Sequence, residues 1–195
     1  MKRFISIFIS LILCTTAVFA QDSYEDDEDI YDDGYVYEQN GAGDRFLKID
    51  MGANFPLNFG DQLYTGAAAS IGFYYFLNSY FAVGGDVILS YNLSIGKKPL
   101  ITVPVTFGAM FQPCLGKFEF PFMLNVGFAT VSCQQLMYFP AFSAKASAGA
   151  FYRWNETWSF GISAHGYWIP QWYTNLEYND YGLFTSVDLS VRYHF

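Results

Sequence analysis

The final stretch of the chain, residues 182–195, reads Gly-Leu-Phe-Thr-Ser-Val-Asp-Leu-Ser-Val-Arg-Tyr-His-Phe. From Val187 to the terminal Phe195, apolar residues alternate with polar ones. Successive side chains of a β-strand point to opposite faces, so this period of two predicts a strand with one apolar and one polar face. Asp188 and Arg192 both fall on the polar face.

The same alternation extends back to Arg45 and divides the chain into eight runs separated by turn-forming residues. The predicted strands are residues 46–55, 67–77, 81–92, 101–112, 118–130, 142–153, 158–168 and 183–195. We expect tight turns at residues 78–79, 113–117 and 155–156, and longer loops at 58–64, 92–99, 133–140 and 170–181. Short turns on one side and longer loops on the other are typical of outer-membrane barrels, with the short turns in the periplasm.

The distribution of charge indicates which face of the strands points outward. One face of all eight runs, which includes Leu47, Ile49 and Met51, carries no charged residue. The opposite face combines glycine and serine with four acids and four bases, and His165 lies on it as well. The charged residues of this face are Lys48, Asp50, Asp86, Glu119, Lys145, Arg153, Asp188 and Arg192.

A charged residue on the lipid face of a barrel costs about 2–4 kcal/mol at mid-membrane, whereas a narrow lumen suits small side chains and balanced ions that pair with one another. Water-soluble barrels carry far more charge outside than the 14% charged residues of this chain provide. We therefore predict an all-β, eight-stranded antiparallel up-and-down transmembrane β-barrel, with the polar face inside as an ion network.

The chain before the barrel divides into two segments. Residues 1–20 are typical of a cleaved signal peptide, with Lys2 and Arg3 before an apolar stretch and a small residue, Ala20, at the cleavage site. Residues 21–44 form an acidic leader, with nine acids and no base between Asp22 and Glu38. Like charges at this density favour disorder, and the barrel is predicted to span residues 45–195.

The charge balance and the cysteine positions exclude nucleic-acid binding and a disulfide. Beyond Glu38 the rest of the mature chain has nine acids and eight bases, so no basic patch supports nucleic-acid binding. Cys114 and Cys133 flank one predicted strand at its opposite ends, which places them beyond disulfide reach.

The terminal alternation ending in Tyr193 and Phe195 looks like the assembly signal of outer-membrane barrels. The chain after the leader resembles the small eight-stranded class typified by OmpX, OmpA and OmpW, in architecture and in this terminal signal. The resemblance implies an integral protein of the bacterial outer membrane that contacts outer-membrane lipid and is inserted by the barrel-assembly machinery. It leaves the function open.

Three functions are consistent with the sequence. The first is a structural and surface-interaction barrel with a salt-bridged lumen, which contacts an extracellular ligand through the aromatic residues of the last loop. Those residues are Trp172, Tyr173, Tyr178 and Tyr181. The second is a small channel for ions or small or apolar solutes, for which the inward glycines leave space.

The third function is a lipid-modifying enzyme. Ser163 and His165 lie on the same inward face, and Glu119 or Asp188 would complete a proton relay. The sequence has no phosphate-binding loop, metal-ligand pair or nucleophile elbow, so we expect no enzyme, no cofactor and no metal site.

Overall fold

The computed structural model describes residues 38–133, 136–172 and 180–195. The predicted signal peptide and the acidic leader as far as Tyr37 lie outside the described residues, as do Tyr173 and Tyr178 of the last loop. Among the residues that are described, no helix is long and apolar enough to cross a membrane.

Eight long strands, named β1 to β8 here, form the barrel. They are Arg45–Pro56, Gly66–Phe76, Phe81–Leu93, Pro99–Phe111, Phe122–Cys133, Leu136–Arg153, Trp158–Gln171 and Asp180–His194. Each strand pairs antiparallel with its neighbours in the sequence, and β1 pairs with β8 from Phe46–His194 to Pro56–Phe184. The sheet is therefore closed, and the predicted up-and-down barrel is confirmed. Closure leaves these strands no free edge along the lipid.

Two short strands, Cys114–Leu115 and Phe118–Glu119, form a hairpin between β4 and β5. The sequence predicts one unbroken strand over residues 118–130, but the ladder is interrupted at Phe120 and Pro121, since proline has no N–H to donate. The register continues across the gap, because Phe118 pairs with Tyr152 and Phe122 with Ala148.

The predicted alternation of short turns and long loops is wrong at two connections. Residues 133–140 are predicted as a loop, yet β5 extends to Cys133 and β6 begins at Leu136, which leaves only residues 134 and 135 between them. Similarly, only residues 94–98 connect β3 to β4. Turn-forming side chains such as Pro140 do not end a strand when its neighbour continues to supply hydrogen bonds, as β5 does for Met137 and Tyr138.

The apolar face points outward and the polar face inward, as the charge pattern predicts. Met51, Leu124 and Leu189 on the outer face are 69%, 73% and 69% exposed, whereas Lys48 and Asp50 on the inner face are buried. A continuous exposed apolar band of this kind is the surface that a bilayer covers.

The barrel has two unlike ends. At the terminus end, where β1 begins and β8 finishes, buried apolar side chains fill the interior: Phe46, Tyr74, Phe76, Ala82, Met110 and Met123. At the opposite, loop end, a second buried cluster contains Ala129, Ala141, Tyr167, Ile169 and Phe184. The loop after β1, which includes the short 3-10 helix Gly60–Gln62, folds over this cluster and packs Phe59 on Phe184 at 5.0 Å between ring centroids.

Candidate functional site: the ionic interior

All nine residues of the predicted ion network are buried in the barrel interior. The structure divides them into three groups. The Asp50 group contains Lys48, Asp50, His165 and Asp188; the Asp86 group contains Asp86 and Lys145; and the Glu119 group contains Glu119, Arg153 and Arg192.

The Asp50 group lies between the two apolar clusters, on strands β1, β7 and β8. Lys48 Nζ is 2.9 Å from Asp50 Oδ2, and Ser70 Oγ donates to the same oxygen at 2.6 Å. His165 Nε2 lies 3.5 Å from Asp50 and 3.0 Å from Asp188, so the imidazole bridges the two carboxylates.

The Asp86 group joins strands that are far apart in the sequence. Asp86 on β3 forms an ion pair with Lys145 on β6, across the interior. Thr106 donates to Asp86 Oδ1 at 2.8 Å, and the hydroxyl of Tyr74 donates to Asp86 Oδ2 at 2.8 Å. A buried carboxylate is tolerated when several donors and a cation satisfy it, and Asp86 meets that condition.

The Glu119 group lies at the terminus end. Glu119 Oε2 is 3.2 Å from Arg192 Nη1, and Glu119 Oε1 is 3.3 Å from Arg153 Nη1. Arg192 also donates to Gln112 Oε1 at 2.8 Å. Because one carboxylate is shared by two guanidinium groups from β6 and β8, this group links strands that are not neighbours in the barrel.

Ser163 and His165 do not have the geometry of a proton relay. In a nucleophilic relay, one imidazole nitrogen accepts from the serine while the other donates to the acid. Here the same atom, His165 Nε2, faces Ser163 Oγ at 3.4 Å and Asp188 at 3.0 Å. His165 Nδ1 has no hydrogen-bond partner among the described residues.

The inward glycines bring the strands close together. A Cβ added to Gly127 would lie 2.0 Å from the carbonyl oxygen of Val105, and one added to Gly108 would lie 2.0 Å from that of Leu124. Contrary to the prediction that the inward glycines leave space for a solute, the neighbouring backbone occupies the position of the side chain at Gly108 and Gly127.

The predicted surface contacts are described only in part. Trp172 and Tyr181 are exposed at the loop end, and Trp172 stacks on Phe142 at 5.9 Å between ring centroids. The neighbouring connection between β5 and β6 was not predicted as a contact surface, yet Leu136 and Met137 beside it are 79% and 72% exposed. The run of apolar and aromatic residues at 136–139, in a segment predicted to be a loop, was the feature of the sequence that indicated this surface.

The residues of the predicted assembly signal lie on the outer face of β8. Tyr193 and Phe195 are both exposed, and the ring of Tyr193 packs on Trp158 at 5.0 Å. Phe195 N donates to the carbonyl oxygen of Arg45 at 3.1 Å, so the chain terminus pairs with the start of β1.

Cys114 and Cys133 lie at opposite ends of the barrel and are not joined by a disulfide. Within residues 38–133, 136–172 and 180–195, no three or more histidine, cysteine, aspartate or glutamate side chains are grouped so as to hold a metal ion.

The closed sheet, the apolar outer band and the ion-paired interior define a small eight-stranded β-barrel of the outer-membrane type. A protein-family model matches residues 24–193, and the chain belongs to that family.

Two curated relatives are uncharacterized proteins of Treponema pallidum (strain Nichols). One is 28% identical over an alignment of 187 positions, and the match covers 82% of this chain and 81% of the relative. The other is 24% identical over 170 residues, which cover 80% of this chain and 56% of the relative.

Three solved structures share the fold. Neisserial surface protein A (NspA) aligns with a TM-score of 0.60 at 12% identity, over 78% of this chain and 99% of NspA. The outer membrane protein OprG from Pseudomonas aeruginosa aligns with a TM-score of 0.53 at 12% identity, over 80% and 97%. The attachment invasion locus protein Ail of Yersinia pestis aligns with a TM-score of 0.51 at 15% identity, over 78% and 99%. At these identities the likeness establishes the fold.

Proposed function

We propose that this chain is an exported, integral outer-membrane protein whose barrel is a rigid anchor for a binding surface at the loop end. In this proposal the first twenty residues are a cleaved signal peptide, the terminus end faces the periplasm and the loop end faces the cell exterior. The barrel-assembly machinery inserts the chain, with Tyr193 and Phe195 in its recognition signal.

The filled interior is the observation that carries this proposal. Apolar clusters occupy both ends, and the acids and bases of the Asp50, Asp86 and Glu119 groups form ion pairs with one another in the interior. An interior of eight strands is just wide enough for side chains to fill it. Ion pairs that join non-neighbouring strands stiffen such a barrel, and a rigid scaffold is what positions a binding loop.

The loop end offers the contact surface. Large apolar side chains that are more than half exposed lie there on three connections and at the start of β6: Leu57, Ile95, Leu136, Met137, Phe139 and Trp172. Exposed apolar patches of this kind mark interaction sites, and aromatic residues dominate binding hot spots. The proposed partner is an extracellular macromolecule with an apolar face.

Planar-bilayer recording of the refolded mature protein tests the filled interior. The gel mobility of heated and unheated samples first confirms a folded barrel, and we then expect no reproducible channel openings. Steady openings would replace this proposal with the small channel for ions or small solutes, and ion selectivity that changes in Lys145→Ala would then place Lys145 in the conducting path.

Crosslinking on intact cells tests the contact surface. A partner captured by the parent protein should be lost from the variant Trp172→Ser/Tyr181→Ser. Leu115→Ser, which alters an even more exposed apolar residue at the terminus end, should retain it. Equal capture by all three proteins would contradict the assignment of the loop end.

A catalytic role is disfavoured by the relay geometry described above. His165→Ala should leave the lipid composition of the outer membrane unchanged, as measured by mass spectrometry of extracted lipid.

A further inference from the structure

The segment Glu38–Asp44, directly before β1, is bonded to β2 and to the turn that follows β2. Gly43 N donates to the carbonyl oxygen of Phe76 at 2.9 Å, and Phe76 N donates to that of Asp44 at 2.8 Å. Gln39 Nε2 donates to the carbonyl oxygen of Ser79 at 3.0 Å. These bonds fix the segment at the terminus end of the barrel.

Asn40 reaches from this side of the barrel to the opposite side. Its Oδ1 accepts from Arg153 Nη1 at 3.1 Å, and its Nδ2 donates to Glu119 Oε1 at 3.5 Å. Arg153 is on β6, four strands from β2 in a closed ring of eight. The segment therefore crosses the mouth of the barrel. The side chain of Asn40 points into the interior and the residue is only 2% exposed.

The seat of Asn40 is built from several parts of the closed barrel. Arg153 Nη1 lies 2.7 Å from His194 Nδ1 on β8, and Arg153 Nη2 donates to the carbonyl oxygen of Glu156 in the β6–β7 turn at 2.9 Å. Glu119 comes from the connection between β4 and β5. Asn40 itself precedes β1, so it meets these groups across the interior of the folded barrel.

We propose that Glu38–Asp44 is a strap that seals the terminus-end mouth of the lumen, with Asn40 as the residue that holds it. An asparagine side chain offers one acceptor and two donors, so it satisfies a guanidinium and a carboxylate together without adding charge. By excluding water, the strap also raises the strength of the Glu119–Arg153 and Glu119–Arg192 pairs. This role goes beyond the proposed surface function, since it does not depend on what the loop end binds.

The accessibility of a thiol in the interior at the terminus end tests the proposal. Ser159 is fully buried and its hydroxyl lies 2.8 Å from His194 Nε2, so Ser159→Cys, made with Cys114→Ser and Cys133→Ser, is a near-isosteric reporter. We measure its reaction rate with a small water-soluble methanethiosulfonate in the full-length mature protein. The rate should be about tenfold or more lower than that of Glu156→Cys, an exposed position at the same end, because buried groups react only through opening.

Adding Asn40→Ala to the reporter should raise the rate of Ser159→Cys toward that of Glu156→Cys, while Glu38→Ala, an exposed neighbour, should leave it unchanged. Asn40→Ser, which is too short to reach both partners, is the second variant if Asn40→Ala does not fold. Equal rates for Ser159→Cys and Glu156→Cys in the parent, or no increase in a folded Asn40 variant, would overturn the strap. Because the parent comparison needs no strap variant, equal rates in the parent overturn the proposal even if both variants fail to fold.

Discussion

The guanidinium of Arg192 stacks on the ring of Phe151, with its central carbon 3.5 Å from the ring centroid. The same group lies 4.6 Å from the centroid of Phe46, so it is held between two rings while it also pairs with Glu119. A planar, weakly hydrated cation is suited to such a site, because its faces contact the rings and its edge donates hydrogen bonds.

Replacing Arg192 by lysine should therefore destabilise the barrel by about 1–3 kcal/mol, although the charge is conserved. Lysine has no planar group to stack between the two rings, and its ammonium is more strongly hydrated than a guanidinium. The measurement is urea unfolding of the barrel in lipid vesicles, followed by tryptophan fluorescence. Arg45→Lys, at an exposed arginine of the same end, should change stability by less than about 0.5 kcal/mol, and an equal effect of the two changes would contradict the role of stacking.

The ion pair between Asp86 and Lys145 should be costly to break from either side. Lys145→Met leaves Asp86 as a buried charge without its cation, and Asp86→Leu does the same to Lys145, so each change should destabilise the barrel by about 3–5 kcal/mol. The double variant removes both charges and should be much less destabilised than the sum of the single variants. Additive effects in this double-mutant cycle would show that the two residues do not depend on each other.

Period-two alternation was sufficient to predict the fold and the side of the sheet on which each charged residue lies. It assigns every residue to the lipid or to the lumen once the strands are known, and charge then decides between the two. The same signal could not predict contacts across the lumen. Asp86 meets Lys145, and Glu119 meets both Arg153 and Arg192, because of the stagger between strands, which no single strand encodes.

Two further features could not be predicted from the alternation of apolar and polar residues. Asn40 belongs to a segment whose acidic composition predicts disorder, and its seat exists only after distant strands have met. Phe46 and Phe151 share the inward phase of Arg192, but stacking depends on the depth of each ring in the barrel, which the phase does not give.

The neighbouring strand lies so close to Gly127 that a larger side chain there should destabilise the barrel. A methyl group there would collide with the carbonyl oxygen of Val105, so Gly127→Ala should destabilise the barrel by about 2 kcal/mol or more through a forced backbone shift. At Gly166 an added Cβ meets no atom within 4 Å, so Gly166→Ala should change stability by less than about 0.5 kcal/mol. Urea unfolding of the two variants compares them directly. If Gly127→Ala were as stable as Gly166→Ala, the lumen would have room at this position.

The depth dependence of charge on the outer face tests whether the apolar band is covered by lipid. Leu124 on β5 and Leu115 in the β4–β5 hairpin are almost equally exposed, at 73% and 74%, but only Leu124 lies within the band of long strands. Leu124→Arg should cost about 2–4 kcal/mol in vesicles, because an arginine there faces hydrocarbon, whereas Leu115→Arg should cost about 0–1 kcal/mol near the interface. In water both sites would accept arginine with little change in stability, since each side chain is exposed and neither has a packing role that arginine would disrupt.

Equal unfolding free energies for the two variants in vesicles would therefore mean that lipid does not cover Leu124. A difference of the expected size would place β5 across the membrane.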